Sequence, residues 1–397
     1  MIRALFVVLL FVPQLAFAGW QDDVEALAGS DGVVYVVDAS GESVYGLRDD
    51  RAFVPASTLK VLTTLLAAEY IGLDARFQTA FFLDGDALIV RGGGDPFLVS
   101  EELDVAARGL KTALGDRTLS GVYVDDSHFA EDITIPGVGG TDNPYDALNS
   151  ATAVNFNTIH VSVSGGVVTS AEAQTPLTPL AEAVAKRKNL RGKQRINLSS
   201  SPSDVRGYAA ELVAAKLRSV GVVVGASVGT RTAPEGDPLF VHANSRTVGE
   251  TCAAMLYYSN NYIANQVFLA VGAAAKGEPA SLAKSVETVE AWLDKNPALG
   301  GFTVKEGSGI AYGNEATARS FVAALALLEP HRDLLRVRHG SPSKTGTLKV
   351  TKTLVGYIDT KDRGRLRYVV SLDGGGAQKR WDIVKRLTSA FGGLVQE

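Results

Sequence analysis

Residues 57–72 read STLKVLTTLLAAEYIG, shortly after Pro55. Leucines recur in this stretch every three or four residues, a spacing that predicts an amphipathic helix. Ser57 and Lys60 then lie one turn apart on the same face, close to the start of the helix. The first turn of a helix presents free backbone N–H groups and the positive end of the helix dipole to any negative charge that forms nearby. The stretch therefore predicts a serine and a lysine placed to react together.

The S-x-x-K pattern of Ser57 and Lys60 carries little weight alone. It also occurs at 281–284 and at 341–344. An N-cap serine beside a solvated lysine would produce the same pattern without any catalytic role. The pattern becomes informative only in combination with other motifs.

Two further motifs are unique in the chain. Ser259-Asn260-Asn261 is its only S-x-N and falls at the break between two predicted helices. Lys344-Thr345-Gly346 is its only K-T-G, and with Thr347 it lies on a predicted strand. Taken separately, the first could be a polar turn and the second a strand with an exposed lysine. Together with S-x-x-K, in this order, they form the set found in penicillin-binding proteins and serine β-lactamases.

Longer stretches resemble the D-alanyl-D-alanine carboxypeptidase/endopeptidases of peptidase family S13, the penicillin-binding protein 4 (DacB) type. The resemblance covers nearly the whole mature chain. It is carried by GGGDP (92–96), VDDSHF (124–129), AVNFNTIHV (153–161), SRTVGETCAAMLYYSNNYIANQVF (245–268), EGSGI (306–310) and SKTGTL (343–348). The roughly 200 residues between Lys60 and Ser259 also fit this family, which inserts extra domains there.

The resemblance implies an α/β fold, the penicillin-binding transpeptidase/β-lactamase-like α/β sandwich, with a β-rich domain inserted between S-x-x-K and S-x-N. We expect a signal peptide in 1–18, a discontinuous catalytic domain formed by 19–79 and 245–397, and one or more inserted domains in 80–244. Strand patterns near both ends of the chain, with helical patterns between them, favour this division. The insert is shorter than in the larger family members, so the presence of a third domain is an open question.

The resemblance implies a role for each residue of the first two motifs. Ser57 would attack the carbonyl between two D-alanines, and Lys60 would take its proton. Ser259 would pass a proton to the leaving nitrogen. Asn261 would hold the substrate amide and help to fix Lys60.

The third motif is expected to bind the substrate. Lys344 would supply a second cation and attract the terminal carboxylate of the peptide. Thr345, Gly346 and Thr347 would bind the peptide along the strand edge. By the same resemblance, the backbone N–H groups of Ser57 and Thr347 would form the oxyanion hole.

The N-terminus and the composition indicate the compartment and the partners. Arg3, the apolar run 4–12 and Ala16-Phe17-Ala18 are typical of a cleaved signal peptide. A net charge of −4 argues against broad nucleic-acid binding, and the single Cys252 cannot form an intramolecular disulfide. We expect an exported, periplasmic enzyme without a metal, a cofactor or a membrane span. Peptidoglycan peptides are its expected substrates and β-lactams its inhibitors, and its oligomeric state is open.

Two rival functions remain. A β-lactamase or esterase on this fold needs a deacylating base, and Glu290 in EAWLD (290–294) is the nearest match to the E-x-x-L-N of class A β-lactamases. The helical period around it favours a scaffold helix instead. A non-catalytic cell-wall binding module is the second rival, and the intact motifs argue against it.

Two other features of the sequence call for an interpretation. The basic run 186–195 is predicted to be a solvated loop, with contact to an anionic wall or membrane as the alternative. Asp146 lies where the family brings an acidic residue towards the active site.

Overall fold

The computed structural model describes residues 19–131, 133–374 and 376–393. The signal peptide expected in 1–18 lies outside these residues. The first half of the chain forms α1 (Trp20–Ala28), β1 (Val33–Val37), β2 (Ser43–Leu47), α2 (Lys60–Tyr70), β3 (Gln78–Asp84), β4 (Ala87–Gly92), α3 (Ser100–Leu114), β5 (Leu119–Asp125), β6 (Thr158–Ser164), β7 (Val167–Ser170), α4 (Pro179–Arg187) and β8 (Gly192–Asn197).

The second half is helical at first and ends in strands. Its elements are α5 (Pro202–Ser219), β9 (Val224–Thr230), β10 (Phe240–Ala243), α6 (Val248–Tyr258), α7 (Asn261–Lys276), α8 (Leu282–Lys295), α9 (Ala318–Leu328), β11 (Arg336–Arg338), β12 (Ser341–Thr347), β13 (Thr351–Asp359), β14 (Arg365–Asp373) and α10 (Lys379–Ala390). The strands and helices predicted from residue 245 onwards are all present.

A six-stranded sheet takes strands from both ends of the chain, in the order β11-β12-β13-β14-β1-β2. Its neighbouring strands are antiparallel. Strand β1 (VVYVV) is buried on both faces, because Val34 and Val36 pack with α1 and α10 on one side while Val33, Tyr35 and Val37 join the helical core on the other. Helices therefore cover both faces, and the predicted α/β sandwich is confirmed.

The segment from β3 to β10 forms two further sheets. One has five strands in the order β10-β3-β4-β5-β9, and the other has three in the order β7-β6-β8. Helices α3, α4 and α5 pack with these strands around a separate apolar core. The sequence pattern predicted mostly strands here, and these helices were missed because alanines form much of the buried stripe, including Ala106 and Ala107 of α3 and Ala209, Ala210 and Ala214 of α5.

Among the described helices, none is long and apolar enough to cross a membrane.

Candidate active site

Three segments that are distant in sequence meet at one edge of the six-stranded sheet. Ser57 lies in a 3₁₀ turn, Ala56–Leu59, that leads directly into α2, and Lys60 is the first residue of that helix. Ser259 ends α6 in a left-handed conformation (φ 55°), which directs the chain into α7 at Asn261. Lys344 lies on β12. The structure brings all five predicted residues together.

Lys60 is completely buried and connects the first two motifs. Its Nζ donates hydrogen bonds to Ser57 Oγ (2.9 Å), Asn261 Oδ1 (2.8 Å) and the carbonyl oxygen of Ser308 (2.7 Å). The amide and carbonyl oxygens are acceptors only, whereas the serine hydroxyl can also donate. A neutral Lys60 therefore gives its two hydrogens to those oxygens, and its lone pair faces the Ser57 hydroxyl. This is the arrangement that a general base requires.

Lys344 connects the second and third motifs. Its Nζ donates to Ser259 Oγ (2.8 Å) and to the carbonyl oxygen of Thr345 (2.8 Å). Lys60 and Lys344 thus each hold one of the two motif serines. Ser57 and Ser259 are both partly exposed, so both hydroxyls are accessible to a ligand.

Burial perturbs both lysines. Desolvation lowers the pKa of Lys60 to about 7, although the negative charge of Glu306 opposes the shift. The pKa of Lys344 is lowered well below its usual range by burial and then by the positive charges of Lys60, Arg338 and Arg380. A lysine with a pKa near 7 exists in both protonation states at neutral pH, so it can accept and return a proton.

Glu306 is a residue whose role the sequence did not reveal, although the stretch EGSGI was noted. It is fully buried, and its carboxylate accepts hydrogen bonds from Ser308 N (2.7 Å), Ser308 Oγ (2.6 Å), Gly309 N (2.6 Å) and Asn314 Nδ2 (2.8 Å). These bonds shape the turn whose Ser308 carbonyl accepts from Lys60. This carboxylate belongs to the site through the turn that it shapes and through the effect of its charge on the pKa of Lys60.

Close backbone approach explains the glycine of K-T-G. A Cβ on Gly346 would lie 2.2 Å from Thr353 Oγ1 and 2.7 Å from the carbonyl oxygen of Pro55. Only glycine lets β12 pass this close to the turn that carries Ser57. On either side of Gly346, Thr345 is partly exposed and Thr347 is exposed, as expected for a strand that binds a peptide.

A pocket of about 460 Å³ opens beside Ser259 and Asn261. Tyr145 lines it, whereas Asp146 is buried and accepts hydrogen bonds from Gly139 N (3.1 Å) and Thr141 Oγ1 (2.5 Å) within its own loop. The tyrosine, and not the acidic residue, therefore faces the site from this loop.

Most of the remaining sequence features lie outside the site. Glu290 is exposed on α8, as predicted for a scaffold helix. The basic run was predicted to be a solvated loop, but it ends α4 and begins β8, and its Arg195 lines the pocket beside Ser259. Its Lys186, Arg187 and Lys188 form ion pairs with Glu182 (2.5 Å), Asp204 (2.5 Å) and Asp142 (2.7 Å). Cys252 is buried, and burial raises the pKa of its thiol to about 12. In the part of the chain that the structure describes, no group of three or more His, Cys, Asp or Glu side chains could hold a metal ion.

Comparisons with known proteins agree with the motifs. The D-Ala-D-Ala carboxypeptidase 3 (S13) family profile matches residues 16–338. The chain is 28% identical to D-alanyl-D-alanine carboxypeptidase of Actinomadura sp. (strain R39), over 76% of this chain and 65% of that protein. It is 24% identical to D-alanyl-D-alanine carboxypeptidase DacB of Haemophilus influenzae, over 80% of each. The chain thus spans just under two thirds of the length of the first relative.

Two solved structures share the fold. Penicillin binding protein 4 (dacB) from Haemophilus influenzae has a TM-score of 0.74 and 18% identity, covering 92% of this chain and 98% of the other. A predatory peptidoglycan endopeptidase from Bdellovibrio bacteriovorus has a TM-score of 0.55 and 17% identity, covering 92% and 94%. These likenesses confirm the predicted penicillin-binding-protein fold. Because the family profile matches most of the chain, the protein belongs to the D-Ala-D-Ala carboxypeptidase 3 (S13) family.

Proposed function

We propose that the protein is a serine D-Ala-D-Ala carboxypeptidase that hydrolyses peptidoglycan peptides through an acyl-enzyme on Ser57. The observation that carries the proposal is the pair of lysine contacts, in which Lys60 reaches Ser57 Oγ and Lys344 reaches Ser259 Oγ. The family and its named relatives, both D-alanyl-D-alanine carboxypeptidases, support the same chemistry.

The acylation step follows from these contacts. The Ser57 oxygen forms a bond to the carbonyl carbon of the penultimate D-alanine, and its proton moves to Lys60. Backbone N–H groups of Ser57 and Thr347 receive the oxyanion, and one such donor typically contributes about 2.7–4 kcal/mol. The C–N bond to the terminal D-alanine then breaks. The leaving nitrogen takes a proton from Ser259. The proton that Lys60 accepted then returns to Ser259, so that Lys60 is neutral again before ester hydrolysis.

Water completes the reaction by hydrolysing the ester. Its proton passes to Lys60, and Ser57 regains its hydroxyl proton, so that the enzyme returns to its starting state. A β-lactam presents a similar amide to Ser57 and forms the same kind of ester. We propose that this ester outlives the peptide ester, because the opened β-lactam keeps its leaving nitrogen attached beside the ester, and because Glu290, the candidate deacylating base, is exposed on a scaffold helix.

We also propose a location and a domain division. The charged, apolar and small-residue segments of 1–18 favour export to the periplasm with cleavage after Ala18. The separate core formed between β3 and β10 supports an inserted unit in 80–244, between the two parts of a catalytic domain in 19–79 and 245–397.

The direct test uses two muropeptides, a monomer that ends in D-Ala-D-Ala and a cross-linked dimer. Release of D-alanine from the first is expected, and conversion of the second to monomers would add endopeptidase activity. Release of neither product would contradict the proposal and favour a binding module. Rapid turnover of a β-lactam, in place of a stable adduct, would favour the β-lactamase alternative.

Gly309 provides a test of how the Ser57 turn is positioned. Its φ is +82°, and an added Cβ would lie 1.9 Å from the carbonyl oxygen of Ala56. We expect Gly309→Ala to slow penicillin acylation by about 100-fold, because displacing a reacting group by about 1 Å has effects of that size. Gly72→Ala is the matched control, since Gly72 also has a positive φ (+89°) but nothing within 4 Å. Equal acylation rates for the two variants would show that this close approach does not position Ser57.

A further inference from the structure

A buried arginine lies directly beneath the K-T-G strand. Arg380 is the second residue of α10 and only 7% exposed. Its Nη1 donates hydrogen bonds to the carbonyl oxygens of Gly346 (2.6 Å) and Thr353 (3.1 Å) and to Thr347 Oγ1 (3.2 Å). Arg380 thus connects α10 to the strand that carries the K-T-G motif.

Within the described part of the chain, the charge of Arg380 has no counterion. Among residues 19–131, 133–374 and 376–393, no carboxylate forms an ion pair with Arg380, and its Nε has no hydrogen-bond partner. The positive charges of Arg338 and Arg380 lower the pKa of Lys344, and that of Arg338 lowers the pKa of Arg380. Burying a guanidinium without an anion is costly, so the surroundings of Arg380 are suited to an anionic ligand.

The hydroxyl of Thr347 can transmit the influence of Arg380 to such a ligand. Because Thr347 Oγ1 accepts from the guanidinium, its own hydrogen is repelled by that cation and points away from it. A hydroxyl has a single hydrogen to donate. Thr347 is exposed, so a bound peptide can accept the hydrogen that points away from Arg380.

We infer that Arg380 is a positioning residue that makes the site specific for peptides with a free terminal carboxylate, acting through the Thr347 hydroxyl. The inference rests on the proposed carboxypeptidase function. Arg380 does not touch the substrate. It fixes Thr347 as a donor and places a buried positive charge one hydroxyl group away from the carboxylate, where little water screens it.

The test compares two peptides that differ only at the C-terminus, one ending in D-Ala-D-Ala and one in the corresponding amide. Arg380→Met is expected to lower kcat/KM for the free acid by about 10-fold to 100-fold, as for the loss of a hydrogen bond to a charged group. The value for the amide should fall by a clearly smaller factor, since the amide lacks the charge and loses only the support that Arg380 gives to the Gly346–Thr347 peptide unit. A loss of sheet order would instead lower both values equally, and that result would overturn the inference.

Arg367→Met is the matched control. Arg367 is also 7% exposed and lies in the same sheet, on β14, where it donates to the carbonyl oxygen of Asp38 (2.9 Å). Removing it tests the general effect of losing a buried arginine. We expect the ratio of kcat/KM for the acid to kcat/KM for the amide to be unchanged. An equal change in that ratio for both variants would also overturn the inference.

Two further measurements test the inference if Arg380→Met folds poorly or if the amide peptide reacts too slowly to be measured. Thr347→Val removes the hydroxyl without altering the packing around Arg380, and it should reduce the acid-to-amide ratio as Arg380→Met does. Combining both changes should add little, because the two residues act through one hydrogen bond. Acylation by penicillin and by its methyl ester gives the same comparison without peptide turnover. If wild type cleaves neither peptide and reacts with neither penicillin, the proposed function itself fails. If wild type is active but both variants keep its acid-to-amide ratio, the inference alone fails.

Discussion

The variant Ser57→Ala is expected to lose covalent labelling by penicillin and to release D-alanine at least about 10⁴ times more slowly than wild type. The alanine has no atom that can form the ester. Lys60 would keep its bonds to Asn261 and Ser308, so the rest of the site should stay in place. Labelling is measured with a fluorescent penicillin on denaturing gels, and D-alanine release with the muropeptide monomer.

The chain offers a matched control for this experiment. Ser281 belongs to a second S-x-x-K, but it caps α8 by accepting a hydrogen bond from Lys284 N (3.2 Å). Ser281→Ala should lower the free energy of unfolding by about 1 kcal/mol, the usual effect of losing an N-cap, and leave labelling unchanged. Equal labelling of Ser57→Ala and wild type would show that the nucleophile lies elsewhere.

The sequence predicted those parts of the site in which a short motif lies on a predicted helix start, turn or strand. Ser57, Ser259 and Lys344 lie on the predicted helix start, inter-helix turn and strand, so the order of short motifs was enough to predict their meeting. The sheet was also predictable, because strand patterns near both ends of the chain flank helical patterns, which favours one sheet with strands from both ends.

Other parts of the site depend on contacts that leave no periodic signal. Glu306 shapes the turn whose Ser308 carbonyl bonds Lys60, and the guanidinium of Arg380 reaches the K-T-G strand from a C-terminal helix. Their residue types alone do not distinguish them from surface charges. Asp146 shows the opposite case: its position matched the family, but its loop uses the carboxylate for its own hydrogen bonds.

After Ser57→Ala, the largest loss of acylation rate is expected for Lys60→Met. Methionine has a similar length but no lone pair for the Ser57 proton, and general base catalysis typically contributes about 10²-fold to 10⁴-fold. The rate of penicillin acylation should fall by that factor. Lys216→Met is the control for removing a buried lysine, since Lys216 is 5% exposed and pairs with Asp104 (2.7 Å) in the inserted segment. A rate for Lys60→Met close to that of this control would exclude Lys60 as the base.

The pH dependence of wild-type acylation gives a second test of the same role. Lys60 accepts a proton only when neutral, and its pKa is about 7, so the rate should rise as the pH increases through about 7 and then level off. A solvated lysine, with its ordinary pKa near 10.4, would place this rise about three pH units higher. The profile is measured under single-turnover conditions, so that acylation and not ester hydrolysis is observed.

Glu306→Gln should shift the rise in acylation rate to lower pH, and only an electrostatic role of Glu306 predicts a shift in that direction. The negative charge of Glu306 raises the pKa of Lys60 and so opposes the effect of burial. Removing that charge disfavours the protonated lysine, which lowers its pKa and shifts the rise to lower pH. Glutamine also loses some of the hydrogen bonds that shape the 306–309 turn, so the maximum rate should fall as well. A fall in rate without a shift of the profile would mean that Glu306 acts on the turn alone and not on the charge state of Lys60.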